Sequence, residues 1–357
     1  MGKKTRKKKK GISLIKKIFI SFFLVVLIYS GFLGYTTYKK IFQPNVSIDG
    51  KKSAYIYIPT GSGLQDVVNL LYQNNYIIDR GAFEWLAEKK NYKNHVKAGR
   101  YRVKNKMSNN ELINLLRSGN QDPVNVILNN IRTKAELASQ VSENLEADSN
   151  SIARLLNNNV YLAKFGLNTE TVRGIFIPNT YEFFWNTSAK EFFERMYSEY
   201  DKFWKQERVE KAKQLNLSKL EVMTLASIVE EETIKRDERP KVAGVYINRL
   251  KKNMPLQADP TVRYALQDFT IKRILKKHLE IDSPYNTYKN KGLPPAPINM
   301  PSIGAIDAVL NFSNHEYLYF CAKDDFSGYH AFAKTYTEHL RNARAYQKAL
   351  NKKRIWK

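Results

Sequence analysis

Glu230, Glu231 and Glu232 stand together at the end of the apolar run Leu225-Ala226-Ser227-Ile228-Val229. A carboxyl at the edge of apolar side chains is partly desolvated, and neighbouring carboxylates add like-charge repulsion. Both effects raise its pKa, as a general acid at neutral pH requires. Ser218 with Glu221 makes a capping box, so a helix begins just after Ser218. Val222, Leu225, Ala226 and Val229 then recur at i, i+3, i+4 and i+7, giving one buried stripe. At about 100° per residue, Glu230 and Glu232 fall on opposite borders of that stripe and Glu231 faces away. Spacing alone chooses neither Glu230 over Glu232 nor catalysis over a solvated acidic surface paired with Lys235, Arg236 and Arg239.

Further candidates lie downstream. A helix with Val242, Val245, Tyr246 and Leu250 on one side carries Asn248 and Arg249 near its end. In Leu256-Gln257-Ala258-Asp259-Pro260-Thr261-Val262 the proline restricts Asp259 to an extended conformation. Ser283-Pro284-Tyr285-Asn286-Thr287-Tyr288 and Gly292-Leu293-Pro294-Pro295-Ala296-Pro297 form a rigid loop rich in aromatic and polar groups. Flat aromatic faces, amides and hydroxyls are what a sugar site uses, although a proline-rich loop is more often a connection. The histidines (His95, His278, His315, His330 and His339) show no metal-ligand spacing such as HExxH, and no metal or cofactor is expected; His330 is the best exception to a structural role. Cys321, the single cysteine, has no partner for a disulfide and reads as a buried small hydrophobe.

These residues need elements to hold them. Gly174 to Tyr181 reads as an apolar strand ending in a Pro-Asn turn, with Phe183, Phe184 and Trp185 as core and Asn179 and Thr180 near a cleft. Val124 to Leu128, followed by Leu137, Ala138 and Val141, is a strand-turn-helix. It loosely repeats an earlier one, in which Tyr55-Ile56-Tyr57-Ile58 precedes a helix bearing Val67, Val68, Leu70 and Leu71. Between them lie a helix through Phe83, Leu86 and Ala87, a strand from Ala98 to Val103, and a capping box of Ser108 and Glu111.

Ile18 to Tyr38 has 21 residues without a charge. As a helix it is about 31 Å long, the thickness of a bilayer's hydrocarbon core. Nine basic residues precede it, from Lys3 to Lys17, and Lys39 and Lys40 follow. The positive-inside rule therefore puts the N-terminus in the cytoplasm and everything after Lys40 outside. The run is too long, and lacks the small-residue cleavage motif, for a secretory signal peptide. The net charge of +25 over 357 residues would suit nucleic acid, but outside the tail the basic residues are mixed with acids. Headgroups and anionic wall polymers are the better partners, and nucleic acid is not expected.

Taken in order, the chain resembles the endolytic murein transglycosylase (YceG-like) family. The resemblance rests on Leu225 to Thr233, Val245 to Leu250, Leu256 to Val262, Ser283 to Tyr288, Gly292 to Pro295 and Tyr317 to Phe320. The anchor and the Pro178-Asn179-Thr180-Tyr181 element also fit; Arg173, where the family commonly has an acid, and Ala296, where it has glycine, depart from the pattern. The resemblance implies an α+β fold: a basic tail over residues 1–17, a transmembrane helix over 18–38, a linker over 39–52, a LysM-like strand-helix subdomain over 53–123 and a catalytic domain over 124–350. It implies Glu230 as the acid/base residue. Gln257, Asp259, Tyr285, Asn286, Tyr288 and Asn248 are expected to bind glycan. The implied reaction cleaves the MurNAc–GlcNAc bond within glycan strands to leave 1,6-anhydro-MurNAc ends, terminating or trimming nascent strands at the outer face of the bacterial inner membrane. Expected partners are peptidoglycan, the membrane, penicillin-binding proteins and other wall-synthesis proteins. The rival readings are a hydrolase on the same scaffold with Asp259 as base, and a non-enzymatic wall-binding or division scaffold.

Overall fold

A computed structural model describes residues 14–271 and 273–353, so most of the basic tail lies outside the described residues. The fold is α+β, and the chain divides into two compact units at Pro123/Val124.

The first unit begins with α1 (Leu14–Phe42), whose 29 residues overrun the expected span at both ends. It is long and apolar enough to cross a membrane, and none of its core window is buried by the protein. No free linker follows. The backbone N–H groups of Asn45 and Val46 both donate to the Met107 carbonyl, and the Asn109 amide donates to the Lys40 carbonyl. Val46 and Ile48 are buried, so the stretch expected to be a linker enters the core instead. There β1 (Ser53–Ile58) pairs antiparallel with β2 (Gly99–Lys104). The sheet carries α2 (Leu64–Gln73), α3 (Arg80–Lys89) and α4 (Asn109–Ser118), the last opened by the Ser108–Glu111 capping box. Ile56, Ile58, Val68, Leu71, Phe83, Tyr101 and Leu112 fill the space between them.

The second unit opens with β3 (Val124–Leu128), which pairs antiparallel with β4 (Asn179–Phe183) so that Val124 faces Phe183. Between them run α5 (Lys134–Ser142), α6 (Ser149–Leu156) and α7 (Asn159–Ala163). The strand expected from Gly174 is displaced: residues 171–175 form a 3₁₀ turn and β4 starts after Pro178. Proline has no N–H for a ladder, so it precedes the strand rather than running through it. Phe184, expected in the core, is exposed, because the pleat that buries Tyr181 and Phe183 turns it outward.

Then come α8 (Ala189–Phe203), α9 (Gln206–Gln214), α10 (Lys219–Glu232), α11 (Arg239–Lys251), α12 (Asp259–Leu266) and α13 (Ile303–Leu310). A ribbon of β5 (Tyr319–Ala322) and β6 (His330–Ala333) leads to α14 (Tyr336–Lys352). The Ser218–Glu221 capping box opens α10 as expected, but the single stripe does not hold: Val222 to Val229 are all buried. Helices α9, α11, α12 and α13 surround it. A helix enclosed on every side has no solvent face, and this decides where its three terminal glutamates point. Gly244 lets α11 approach the next loop; a Cβ there would meet the Ser313 carbonyl oxygen at 2.5 Å. Asp259 is the first residue of α12 rather than an extended one. Pro260 sits in the first turn, where a missing N–H costs nothing, so the helix starts against the pre-proline preference.

Candidate active site

Glu230 and Glu231 face one side of α10. Glu230 accepts the Ser302 backbone N–H at 2.8 Å and its hydroxyl at 2.5 Å, and pairs with the Arg239 guanidinium at 3.2 Å. Arg239 is itself largely buried and also donates to the Ser302 hydroxyl at 3.1 Å. The Glu230 carboxylate is thus committed to a helix N-cap and an arginine. Glu231, expected to face away, accepts from Arg132 at 3.1 Å and from the Asn299 amide at 3.0 Å. A cavity of about 530 Å³ opens here, lined by both acids with Asn129, Asn130, Arg132, Arg239, Asn299, Ser302 and apolar neighbours.

Glu232 points to a different set of groups. Its carboxyl accepts the Tyr246 hydroxyl at 2.7 Å, and Tyr246 is 1% exposed. Burial away from water pushes the Glu232 pKa up to about 7; the Tyr246 hydrogen bond opposes this, and the Asp259 charge adds to it. Arg263 and Arg249 pull the other way with smaller effect. Asp259 accepts the Tyr288 hydroxyl at 2.6 Å. Arg249 is buried, donates to the carbonyls of Leu318, Pro255 and Leu256, and lies 5.2 Å from the Tyr319 ring. The cavity and the carboxyl raised toward neutrality therefore lie on different flanks, since none of Tyr246, Asp259 and Tyr288 lines that cavity. Chemistry weighs more than volume here: a carboxyl poised near neutrality can give and retake a proton, whereas the Glu230 oxygens are occupied by Ser302 and Arg239.

The other residues singled out from sequence divide the same way. Gln257 is exposed with φ +52°, left-handed backbone rare for glutamine, and its side-chain carbonyl accepts from Arg249 at 3.2 Å. Its N–H donates to the Thr287 carbonyl, and the Ala258 N–H to the Thr287 hydroxyl, which stitches the two loops together. Gln257, Asp259 and Tyr288 thus gather around Arg249 and Glu232. Asn286, Tyr285 and Asn248 spend their donors inside the fold. Asn286 is fully buried, donates to the Leu279 and Ile281 carbonyls, and accepts from the Tyr288 N–H. Tyr285 donates to Glu170 and packs its ring 4.6 Å from Tyr264. Asn248 donates to the His315 and Tyr317 carbonyls, fixing the loop that Gly244 admits. His330 is 2.7 Å from Glu238, which also accepts from Thr233 just after α10. Among the described residues no cluster of His, Cys, Asp and Glu could hold a metal.

Sequence reasoning missed the partners. Tyr246 carried a visible signal, a hydroxyl on an otherwise apolar face, which must find an acceptor when buried. Ser302 carried another: it precedes an apolar helical run and so reads as an N-cap. Nothing local marks Asn299 or Arg132 as neighbours of Glu231.

Comparison with known proteins identifies the family. Residues 56–345 match the YceG-like family. A Bacillus subtilis (strain 168) protein named endolytic murein transglycosylase is 30% identical, covering 88% of this chain and 90% of that protein. A Streptococcus pneumoniae (strain D39) protein of the same name is also 30% identical over 91% of this chain; the chain spans 64% of it. The crystal structure of a yceG-like protein from Listeria monocytogenes superposes with a TM-score of 0.53 at 28% identity, covering 82% of this chain and 99% of that one. With the family match running from residue 56 to 345 and a 30% identical relative covered over 90% of its length, the chain belongs to the YceG-like family.

Proposed function

We propose that this protein cuts glycan strands of peptidoglycan as a membrane-anchored endolytic murein transglycosylase, with Glu232 rather than Glu230 as its acid/base residue. The names of the relatives support the substrate. The observation that carries the assignment is the Glu232 carboxyl, raised to about 7 beside Tyr246 and Asp259. Protonated Glu232 gives its proton to the oxygen leaving C1 of N-acetylmuramic acid. The carboxylate so formed then takes the proton of the sugar's C6 hydroxyl as that oxygen bonds to C1. One glycosidic bond breaks, one intramolecular ether forms, and a 1,6-anhydro end results with no water consumed. Tyr246 donates to the carboxylate between the two steps, and the Tyr288–Asp259 pair and Gln257 orient the sugar.

Asp259 beside the acid favours a second reading, in which it activates water and the product is a reducing end. Glu230, nominated from the sequence, becomes a structural ion-pair partner. Asn286 and Asn248 become shapers of the loops that carry Tyr288 and Tyr317. The basic tail orients α1 with its N-terminus in the cytoplasm and places the chain after Lys40 outside. There the catalytic unit trims or terminates nascent strands made by penicillin-binding proteins and other wall-synthesis machinery. Digestion of purified sacculi, with mass spectrometry of the released muropeptides, tests the reading. Anhydro ends from the natural protein and none from Glu232→Gln are expected. Reducing ends would favour the hydrolase, and binding without any cleavage the non-enzymatic scaffold.

A further inference from the structure

The cavity on the Glu230–Glu231 side is not used by this chemistry, yet it is built. Its walls are the 129–132 and 299–302 segments, joined by the Met300 N–H donating to the Ile131 carbonyl at 3.0 Å. Buried Arg173 donates to the Arg132 carbonyl at 2.8 Å and lies 4.9 Å from the Tyr264 ring, so the first wall is braced from behind. Asn299 is 7% exposed, and its amide nitrogen donates to Glu231. That bond fixes the orientation of the amide, because an oxygen facing a carboxylate would be repelled. Its Oδ1 is then a buried acceptor without a partner among the described residues, and it belongs to a residue that lines the cavity. A buried acceptor left unpaired is costly unless a donor reaches it.

The lining also says what kind of donor. Two arginines and two glutamates are present as the pairs Arg239–Glu230 and Arg132–Glu231. The Arg132 side chain is 42% exposed and engages Glu231 through one nitrogen only. Its other N–H groups are available to an anion. Among the described residues no aromatic side chain lines the cavity. A pyranose ring prefers an aromatic face, and the partly exposed ones lie on the other flank, at Tyr288 and Tyr319. Backbone amides, a free carboxylate and a free amine match an orphan carbonyl, an open guanidinium and a half-used carboxylate. The two flanks are also linked: Glu231 and Arg132 border a small adjoining cavity with Arg263, which acts electrostatically on Glu232.

We propose that this cavity is a peptide site that receives the peptide substituent of the glycan strand being cut, its amide N–H on Asn299, its carboxylate on Arg132 and its amine on Glu231. The inference rests on the proposed function, and it predicts a preference for peptide-bearing over peptide-stripped strands. The test uses the full chain in detergent with two substrates: glycan strands carrying their peptides, and the same strands after an amidase has removed them. The natural protein should show a lower KM on the first. In Asn299→Leu and, separately, Arg132→Gln, the ratio of the two kcat/KM values should fall about tenfold toward unity. Titration of the released peptide into the protein should give binding that both variants lose. Arg132 is exposed enough that its variant should fold even where Asn299→Leu does not. Equal kcat/KM on both substrates in the natural protein, or unchanged ratios in both variants, overturns the proposal. Should no strand be cleaved at all, the reading as a transglycosylase fails while the peptide titration still decides this site: binding lost in the variants sustains it, and no binding ends it.

Discussion

Glu230 and Glu232 are two residues apart on one helix and differ in almost every surrounding. Glu230 meets an N-cap and a buried arginine, which hold both of its oxygens. Glu232 meets a buried tyrosine and a second carboxylate, the environment of a group that hesitates between charge states. The difference teaches that an acid is made by what faces it. The helix itself contributes equally to both, since α10 is buried on all sides up to Val229.

The largest expected effect breaks the comparison directly. Glu232→Gln keeps the shape and the Tyr246 hydrogen bond but cannot cycle a proton, so turnover on sacculi should fall by roughly 10²- to 10⁴-fold with no loss of thermal midpoint. Glu230→Gln should do the reverse. It leaves the largely buried Arg239 without its counter-charge, and chemical denaturation should report a loss of up to about 3 kcal/mol, with turnover of the folded fraction little changed. If Glu230→Gln is the inactive one and keeps its stability, the two roles must be exchanged.

The pH dependence sharpens the same contrast. As a general acid, Glu232 must be protonated, so kcat/KM should decline as pH rises through about 7. Its folded pKa lies above the ordinary value of 4.5, so the folded chain holds the proton more tightly. The stability this contributes is whole below about pH 4.5 and is lost progressively as pH rises to about 7. Glu232→Gln should flatten that slope in denaturation curves taken across this window, and Glu230→Gln should leave it in place.

The order of elements was legible because it is written in local chemistry. Capping boxes at Ser108 and Ser218 start helices where expected, and alternation marks β1 and β2. The long apolar run reads as α1 at sight. What could not be read is which side of an enclosed helix faces which neighbour. A helical wheel assumes one buried stripe, and α10 has none, so Glu231 was turned to solvent when it meets Arg132 and Asn299. Those partners are far from it in sequence, brought in by the 129–132 and 299–302 segments. Asn286 misled for a related reason: a polar residue in an aromatic loop looks like a ligand until its amide is found spanning its own backbone. Asn286→Ala should therefore strand two carbonyls, lower stability by about 1–3 kcal/mol in a thermal melt and reduce turnover in parallel. Weak turnover at an unchanged midpoint would return it to the site.

The smallest expected change is also the one that separates the two readings of Asp259. Its negative charge is one of the influences that hold the Glu232 pKa up, ranking behind burial. Asp259→Asn removes that charge and keeps an oxygen to accept the Tyr288 hydroxyl, so the loop should stay in place. If cleavage is lytic, Glu232 does both proton transfers, and the loss of a neighbouring charge only eases its ionisation. The basic limb of the kcat/KM profile should then move to lower pH by a fraction of a unit, with the maximum rate reduced a few-fold and anhydro ends still released. If cleavage is hydrolytic, Asp259 activates the water, and an amide in its place leaves the nucleophile without a base, a loss on the order of 10²-fold or more. A pH–rate profile of this variant, run with product masses at each point, therefore reads the job of the second carboxylate from the way the rate is lost.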